Sequence, residues 1–297
     1  MQITRGTLQT LGIAFKATFE NALGTASTQY QGVTTMVPVT TGKTEYGWLG
    51  EIPNVREWVG DRFINNLERF AWSISNKDFE VTVGVDRNDI LYDNLGIYTP
   101  KFTKMGNSCA AHKDLLIWPM MNAGFANLCY DGQYFFDTDH PVLDVNGVSQ
   151  SVANTDGGAG TPWFLVAKNQ VLNPIILQTF KDYEFVSKDQ PDDDNVFMQK
   201  RYLYGADAIY NAGYGLWQTS WGSKQPLDAA HYATARAALL GMKGEYGRPL
   251  GLNAFTMYVP PTLEGAALQI LNADRNADGS TNIWFKTADL VVVPWLA

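Results

Sequence analysis

The chain has 297 residues, 45% hydrophobic and 18% charged, a globular composition with enough length for one large domain or two modest ones. A formal charge of −8 excludes a tight nucleic-acid binder, since such binding relies on Lys and Arg displacing counterions from phosphates; an acidic wall can still enclose DNA without adhering to it. Two cysteines, Cys109 and Cys129, are too few for a disulfide framework, and no apolar run reaches the roughly 18 residues of a membrane span.

The opening Met1-Gln-Ile-Thr-Arg5 leads into an amphipathic segment rather than a secretory signal, so the expectation is a soluble chain made inside the cell. Leu8, Leu11, Phe15, Phe19 and Leu23 recur at helical spacing and predict a helix stopped by Gly24. Residues 25–44, rich in Thr, Gly, Ser and Gln, read as an extended arm with little core-forming capacity. Residues 45–76 read as a long hairpin. Trp48, Leu49, Trp58, Val59 and Phe63 come first and Leu67, Phe70, Trp72 and Ile74 follow, with Asp61, Arg62, Glu68 and Arg69 interleaving both charge signs. A two-stranded ribbon is marginal alone, and its aromatics need cover from the same subunit or from a neighbour.

Phe79, Val81, Val83 and Val85 alternate with Glu80, Thr82 and Gly84, which predicts a strand with one buried face. From Asp86 to Phe125 the pattern turns helical through Ile90, Leu95, Phe102, Met105, Cys109, His112 and Leu116. Pro100 and Pro119 are expected to break or kink it, giving one bent helix or two that end near Gly124. Residues 126–160 are turn-rich, with a loop at Asn154–Gly158. Strands are expected at 162–166, 175–179 and 196–210, with the acidic run Asp189–Asn195 as a solvated tip. A helix over 228–243, a strand over 254–259, a helix opened by Pro261 and a last strand over 290–295 follow. Without internal repeats or regular βαβ alternation, the class is α+β.

Searches for chemistry end in turns. Asp274-Arg-Asn276-Ala-Asp278-Gly279 matches the first half of a calcium loop, but Phe285 stands where the bidentate Glu belongs, so it reads as a polar turn. Asp137 and Asp139 stand just before His140 without further ligands at metal spacing, and Cys109, His112 and Cys129 match no zinc pattern; the expectation is no metal site. His112 falls on an apolar helix stripe as a satisfied core residue, and His231 near a helix start as an exposed one. No nucleophile elbow, phosphate loop or dinucleotide fingerprint occurs, so no catalytic residue and no cofactor is expected. An aromatic-rich carbohydrate-active enzyme stands as the enzymatic alternative.

The block Asn76-Lys-Asp-Phe-Glu-Val-Thr-Val-Gly-Val-Asp-Arg87, continued by Asp93-Asn94-Leu95-Gly96, Leu128-Cys-Tyr-Asp-Gly-Gln133 and Phe135-Phe-Asp-Thr-Asp-His-Pro141, resembles the major head proteins of Mu-type phages and Mu-like prophages. Gly213-Tyr-Gly-Leu-Trp217 and Val259-Pro-Pro261 extend the likeness over nearly the whole chain. The resemblance implies an α+β, Hong Kong 97-like capsid fold. In it, 1–44 is an N-terminal helix and arm, 45–76 an extended β-hairpin loop, and 77–204 a peripheral domain with its spine helix. Residues 205–285 form an axial domain, and 286–297 a strand returning to the core, with these parts interwoven. It also implies self-assembly into the hexamers and pentamers of a phage head that encloses double-stranded DNA without reading its sequence. An encapsulin-like cargo shell is the alternative within the same fold. A separate scaffolding protein, a portal and decoration proteins are implied partners, with no membrane; the chain would be made in the host cytoplasm and end in the virion capsid. No long acidic, coiled-coil-like extension stands before the arm, so the resemblance implies a separate scaffold, and Met1 favours an unprocessed start. On this reading Trp48, Trp58 and Phe63 cover a neighbour's helix, while Arg56, Asp61, Arg62, Glu68 and Arg69 set register by charge.

Overall fold

The computed structural model describes residues 2–47, 72–92, 95–190 and 192–297. Its first element, α1 (Arg5–Thr25), opens on a reciprocal cap: the Thr7 amide donates to the Thr4 hydroxyl, and the Thr4 amide to the Thr7 hydroxyl. Leu8, Phe15, Phe19 and Ala22 form its buried face. Gly24 does not stop the helix, which runs to Thr25 and ends at Ala26 in extended conformation.

The arm has more core than its polar composition predicts. Tyr30 and Val33 are buried in the main core, and β1 (Thr34–Pro38) runs parallel to a strand of the first sheet. Next, β2 (Lys43–Glu45) pairs antiparallel with β3 (Ser73–Ser75). In β4 (Lys77–Asp86) the expected alternation holds, with Val85 wholly buried.

The helical stretch divides into α2 (Arg87–Leu91), capped by the Asp86 carboxylate, and α3 (Thr99–Ala123). Pro100 breaks nothing, because it stands in the first turn of α3, where no amide is needed. Pro119 lies inside α3 without ending it, and Gly124 caps it as expected.

Beyond α3, β5 (His140–Leu143) and β6 (Ser149–Val152) form a hairpin, and β7 (Thr155–Gly158) stands where a loop was expected. Gly158 has φ +97°, and a Cβ there would lie 2.4 Å from the Lys224 carbonyl, so only glycine lets this strand reach its neighbour. The long strands are β8 (Trp163–Ala167), β9 (Ile175–Lys188) and, after α4 (Asp194–Gln199), β10 (Arg201–Tyr214). The strand expected from 196 therefore begins at Arg201. Nor is the acidic run simply a solvated tip: Asp189 and Asn195 are buried. The Asn195 amide donates to Lys188 O (3.1 Å) and Arg201 O (2.7 Å), clamping the end of β9 to the start of β10.

The order closes with β11 (Ser220–Lys224), α5 (Ala229–Leu240), β12 (Phe255–Val259), α6 (Glu264–Leu271) and β13 (Asp289–Val292). One sheet has the order β1-β9-β10-β4 and the other β13-β12-β8-β11-β7. Every residue of β8 and β12 is buried, as in strands covered on both faces. The main core joins the two sheets through Trp118, Trp163, Ile176, Tyr210 and Tyr258. A smaller core packs α1 on α3 over the first sheet; Phe15 stacks on Phe102 at 4.3 Å with Tyr204 edge-on at 5.3 Å. The boundary expected between 204 and 205 falls within β10, and β7 and β8 share a sheet with β11, β12 and β13.

Candidate self-assembly surface

Trp48, Arg56, Trp58, Asp61, Arg62, Phe63, Glu68 and Arg69, the expected interface, all lie outside the described residues. The structure does fix how their segment leaves and rejoins the body. In the β2–β3 stem Thr44 stands opposite Ile74, and the Tyr46 amide donates to Trp72 O at 2.7 Å. Gln178, on β9 and wholly buried, ties this stem to the first sheet. It accepts from the Tyr46 hydroxyl (2.9 Å) and donates to Ile74 O (3.1 Å) and to the Asn76 side chain. Burial pushes the Tyr46 phenol up to about 12, so it stays a donor at neutral pH. Trp72 donates its indole N–H to Tyr214 O (3.1 Å). Ile74 seats against Gly213, where a Cβ would come within 2.5 Å of its Cδ1. A buried and satisfied polar network of this kind holds one geometry, so the stem is a rigid mount.

Several large apolar side chains stand in solvent on the isolated chain. Phe197 (83% exposed) and Met198 (75%) lie together on α4, and Ile283 (74%) follows the Asp274–Gly279 turn. Single exposed apolar residues are ordinary, but an adjacent exposed pair suits contact with another chain.

The residues with chemical potential are mostly satisfied internally. In the calcium-like turn, Asp278 accepts from the Ser280 amide (2.9 Å) and hydroxyl (2.6 Å), which holds its carboxyl below the usual range. Gly279 closes that turn with φ +82°. His112 Nδ1 meets the Tyr210 hydroxyl at 2.6 Å. His231 is not simply exposed; it pairs with Asp156 at 2.9 Å. Burial pushes the Cys109 thiol up to about 11, which makes it a poor nucleophile.

His140 departs most from expectation. Its carboxylate partner is neither Asp137 nor Asp139 but Asp131, at 2.7 Å, and Asp131 also receives the Cys129 thiol at 3.0 Å. Among the described residues, Cys129, Asp131 and His140 are the one group of three metal-ligating side chains brought together, within 4.8 Å. Sequence reasoning missed it because the pattern matches no familiar ligand spacing.

A helix-backed first sheet, a second sheet sharing its core, and a segment carried on a buried stem are the parts of a Hong Kong 97-like capsid subunit, and solved structures bear this out. The procapsid protein of bacteriophage JBD30 superposes with a TM-score of 0.87 at 38% identity, covering 99% of this chain and 100% of that one. The JBD30 capsid gives 0.77 at 31% identity over 100% of both chains, and a further structure shows that capsid decorated with minor capsid protein trimers. A family model for the Mu-like prophage major head subunit gpT matches residues 8–296. The major capsid protein of Escherichia phage Mu is 38% identical over 289 residues, 95% of each chain. The Mu-like prophage FluMu major head subunit of Haemophilus influenzae is 35% identical over 283 residues, 93% of this chain and 92% of that one. The chain belongs to this family of Mu-like major head subunits. It is a phage capsid protein, structural rather than enzymatic, and the carbohydrate-active alternative falls away. Among the described residues no helix is long and apolar enough to cross a membrane.

Proposed function

We propose that this subunit builds the hexamers and pentamers of an icosahedral head around double-stranded DNA, with residues 48–71 reaching over a neighbouring subunit. The observation that carries the reading is the stem. Buried hydrogen bonds at Tyr46 and Gln178 and a half-buried one at Trp72 fix the exit and return of a segment rich in aromatics and in both charge signs. Rigid ends with an aromatic middle suit a contact made in trans. Trp48, Trp58 and Phe63 supply apolar area there, while Arg56, Asp61, Arg62, Glu68 and Arg69 choose the register.

The first sheet with α3 serves as the peripheral domain and the second sheet with α5 and α6 as the axial one. Residues 1–44 act as the arm and 286–297 return to the core. A separate scaffolding protein, a portal and decoration proteins complete the head, which is assembled in the host cytoplasm. Standard interfaces bury about 1,600 Å² each, so several modest contacts per subunit close a shell and still permit error correction.

Trp58→Ala is the test. The variant should match the parent in circular dichroism and melting temperature, yet form at least about tenfold fewer shells by sedimentation and negative-stain microscopy. Normal shells from the variant would rule out the trans contact, and an unfolded variant would place Trp58 in the subunit's own core.

A further inference from the structure

In the turn that follows α3, three side chains of different ligand type converge. Cys129 Sγ, a carboxylate oxygen of Asp131 and a ring nitrogen of His140 lie within 4.8 Å of one another, and Cys129 and His140 are buried. The contacts of His140 decide what stands between these atoms. The Asp137 backbone amide donates to Asn154 Oδ1 (2.9 Å) and Asn154 Nδ2 donates to Phe135 O (2.8 Å), which fixes the Asn154 oxygen as an acceptor. His140 Nε2, 3.3 Å from that oxygen, therefore carries a hydrogen. The other nitrogen, Nδ1, faces Asp131 Oδ2 at 2.7 Å. Two bare lone pairs repel at that distance, so the two atoms share a proton as the site stands. The second Asp131 oxygen meets the Cys129 sulfur at 3.0 Å.

We propose that Cys129, Asp131 and His140 bind a divalent transition metal of the zinc class, which replaces the proton shared by His140 and Asp131 and the thiol proton of Cys129. The charge balances: thiolate and carboxylate together offset the divalent ion, and the two displaced protons pass to solvent. Thiolate, carboxylate and imidazole are zinc's usual donors at about 2.0–2.3 Å, so the present hydrogen-bond contacts open by roughly half an ångström on binding. Water takes the fourth position. His140 is already oriented as a ligand, with Nε2–H held by Asn154 and the ring stacked on Trp217 at 3.8 Å and 11°. Burial acts to raise the Asp131 carboxyl, but hydrogen bonds from His140 and Cys129 outweigh it and hold the group below its usual range. The ion would staple the turn after α3 to β5.

Protein purified without chelator should carry about one zinc per chain by plasma mass spectrometry. Cobalt(II) added to chelator-stripped protein should give a thiolate-to-cobalt charge-transfer band and release about two protons per ion. Cys129→Ser should abolish the band and weaken cobalt binding by about tenfold or more, while Cys109→Ser changes neither. If Cys129→Ser does not fold, the parent's band and stoichiometry still decide. A folded parent chain that takes up no cobalt at about tenfold excess, or takes it up without the sulfur band, overturns the proposal and leaves protons in the site.

Discussion

His112 and Tyr210 show how one buried hydrogen bond acquires a pH dependence. Burial lowers the His112 imidazole below its ordinary 6.5 and raises the Tyr210 phenol far above its own range. At neutral pH the phenol therefore donates to a neutral ring, across 2.6 Å. The unfolded chain takes up the imidazole proton near 6.5 and the folded chain only at lower pH. In that interval the unfolded state binds more protons, so stability falls as pH drops below 6.5 and levels off beneath the folded value. The urea midpoint should decline between pH 7 and pH 5, about the window set by an ordinary imidazole, and His112→Gln should flatten part of the decline. A variant with the parent's full slope would remove His112 from the account. The spacing of the apolar stripe around His112 was enough to place it as a satisfied residue, though not to find Tyr210, 98 positions away. His140 failed in the same way. Its neighbours Asp137 and Asp139 drew attention, but the chain folds them onto the Tyr134 and Thr138 amides and onto Ser151 and brings Asp131 to the ring.

Elements were legible where burial follows local period. The helical stripe of α1 and the alternation of β4 both appear in the structure because each buries one regular face. β7 was not, since its two glycines read locally as a turn: Gly157 is required by its φ of +71°, and Gly158 by its φ of +97° and by the Lys224 backbone 2.4 Å from an added Cβ. The acidic run was misread because Asn195 satisfies two strand ends that local sequence does not pair. Glycine in α1 and α3 makes the point quantitatively. Gly24 is exposed with nothing within 4 Å of an added Cβ, whereas at Gly106 a Cβ would meet Phe19 O at 2.5 Å and Ala22 Cβ at 2.8 Å. Gly24→Ala should therefore stabilise by up to about 1 kcal/mol through helix propensity. Gly106→Ala gains the same propensity but must push α1 off α3, an overlap worth roughly 1–3 kcal/mol, for a net loss. Thermal melts should move a few degrees in opposite directions. Equal upward shifts would mean that α1 does not lean on α3 in solution.

For the whole molecule, nine Trp, 14 Tyr and 15 Phe are compatible both with a Trp-rich core and with extended contacts with partners. The structure fills the first amply: Trp118, Trp163 and Trp217 are wholly enclosed. The expected interface lies in residues outside the described ones, so the candidate contact stays legible only in composition and in the stem that carries it. Charge supplies an independent handle. Every subunit carries −8, so bringing copies together meets long-range repulsion, while the apolar area covered at contacts is indifferent to salt. The Debye length falls from about 30 Å at 0.01 M to about 8 Å at 0.15 M, which removes most of the repulsion between subunit bodies but little of the attraction between groups in contact. Light scattering from the purified subunit should therefore rise steeply over that range, while retention of duplex DNA stays negligible throughout. A shell held together mainly by charge pairing between subunits, through Arg56, Asp61, Arg62, Glu68 and Arg69, would do the reverse and come apart as salt rises. The direction of that one titration separates apolar cover from charge pairing as the force that closes the shell.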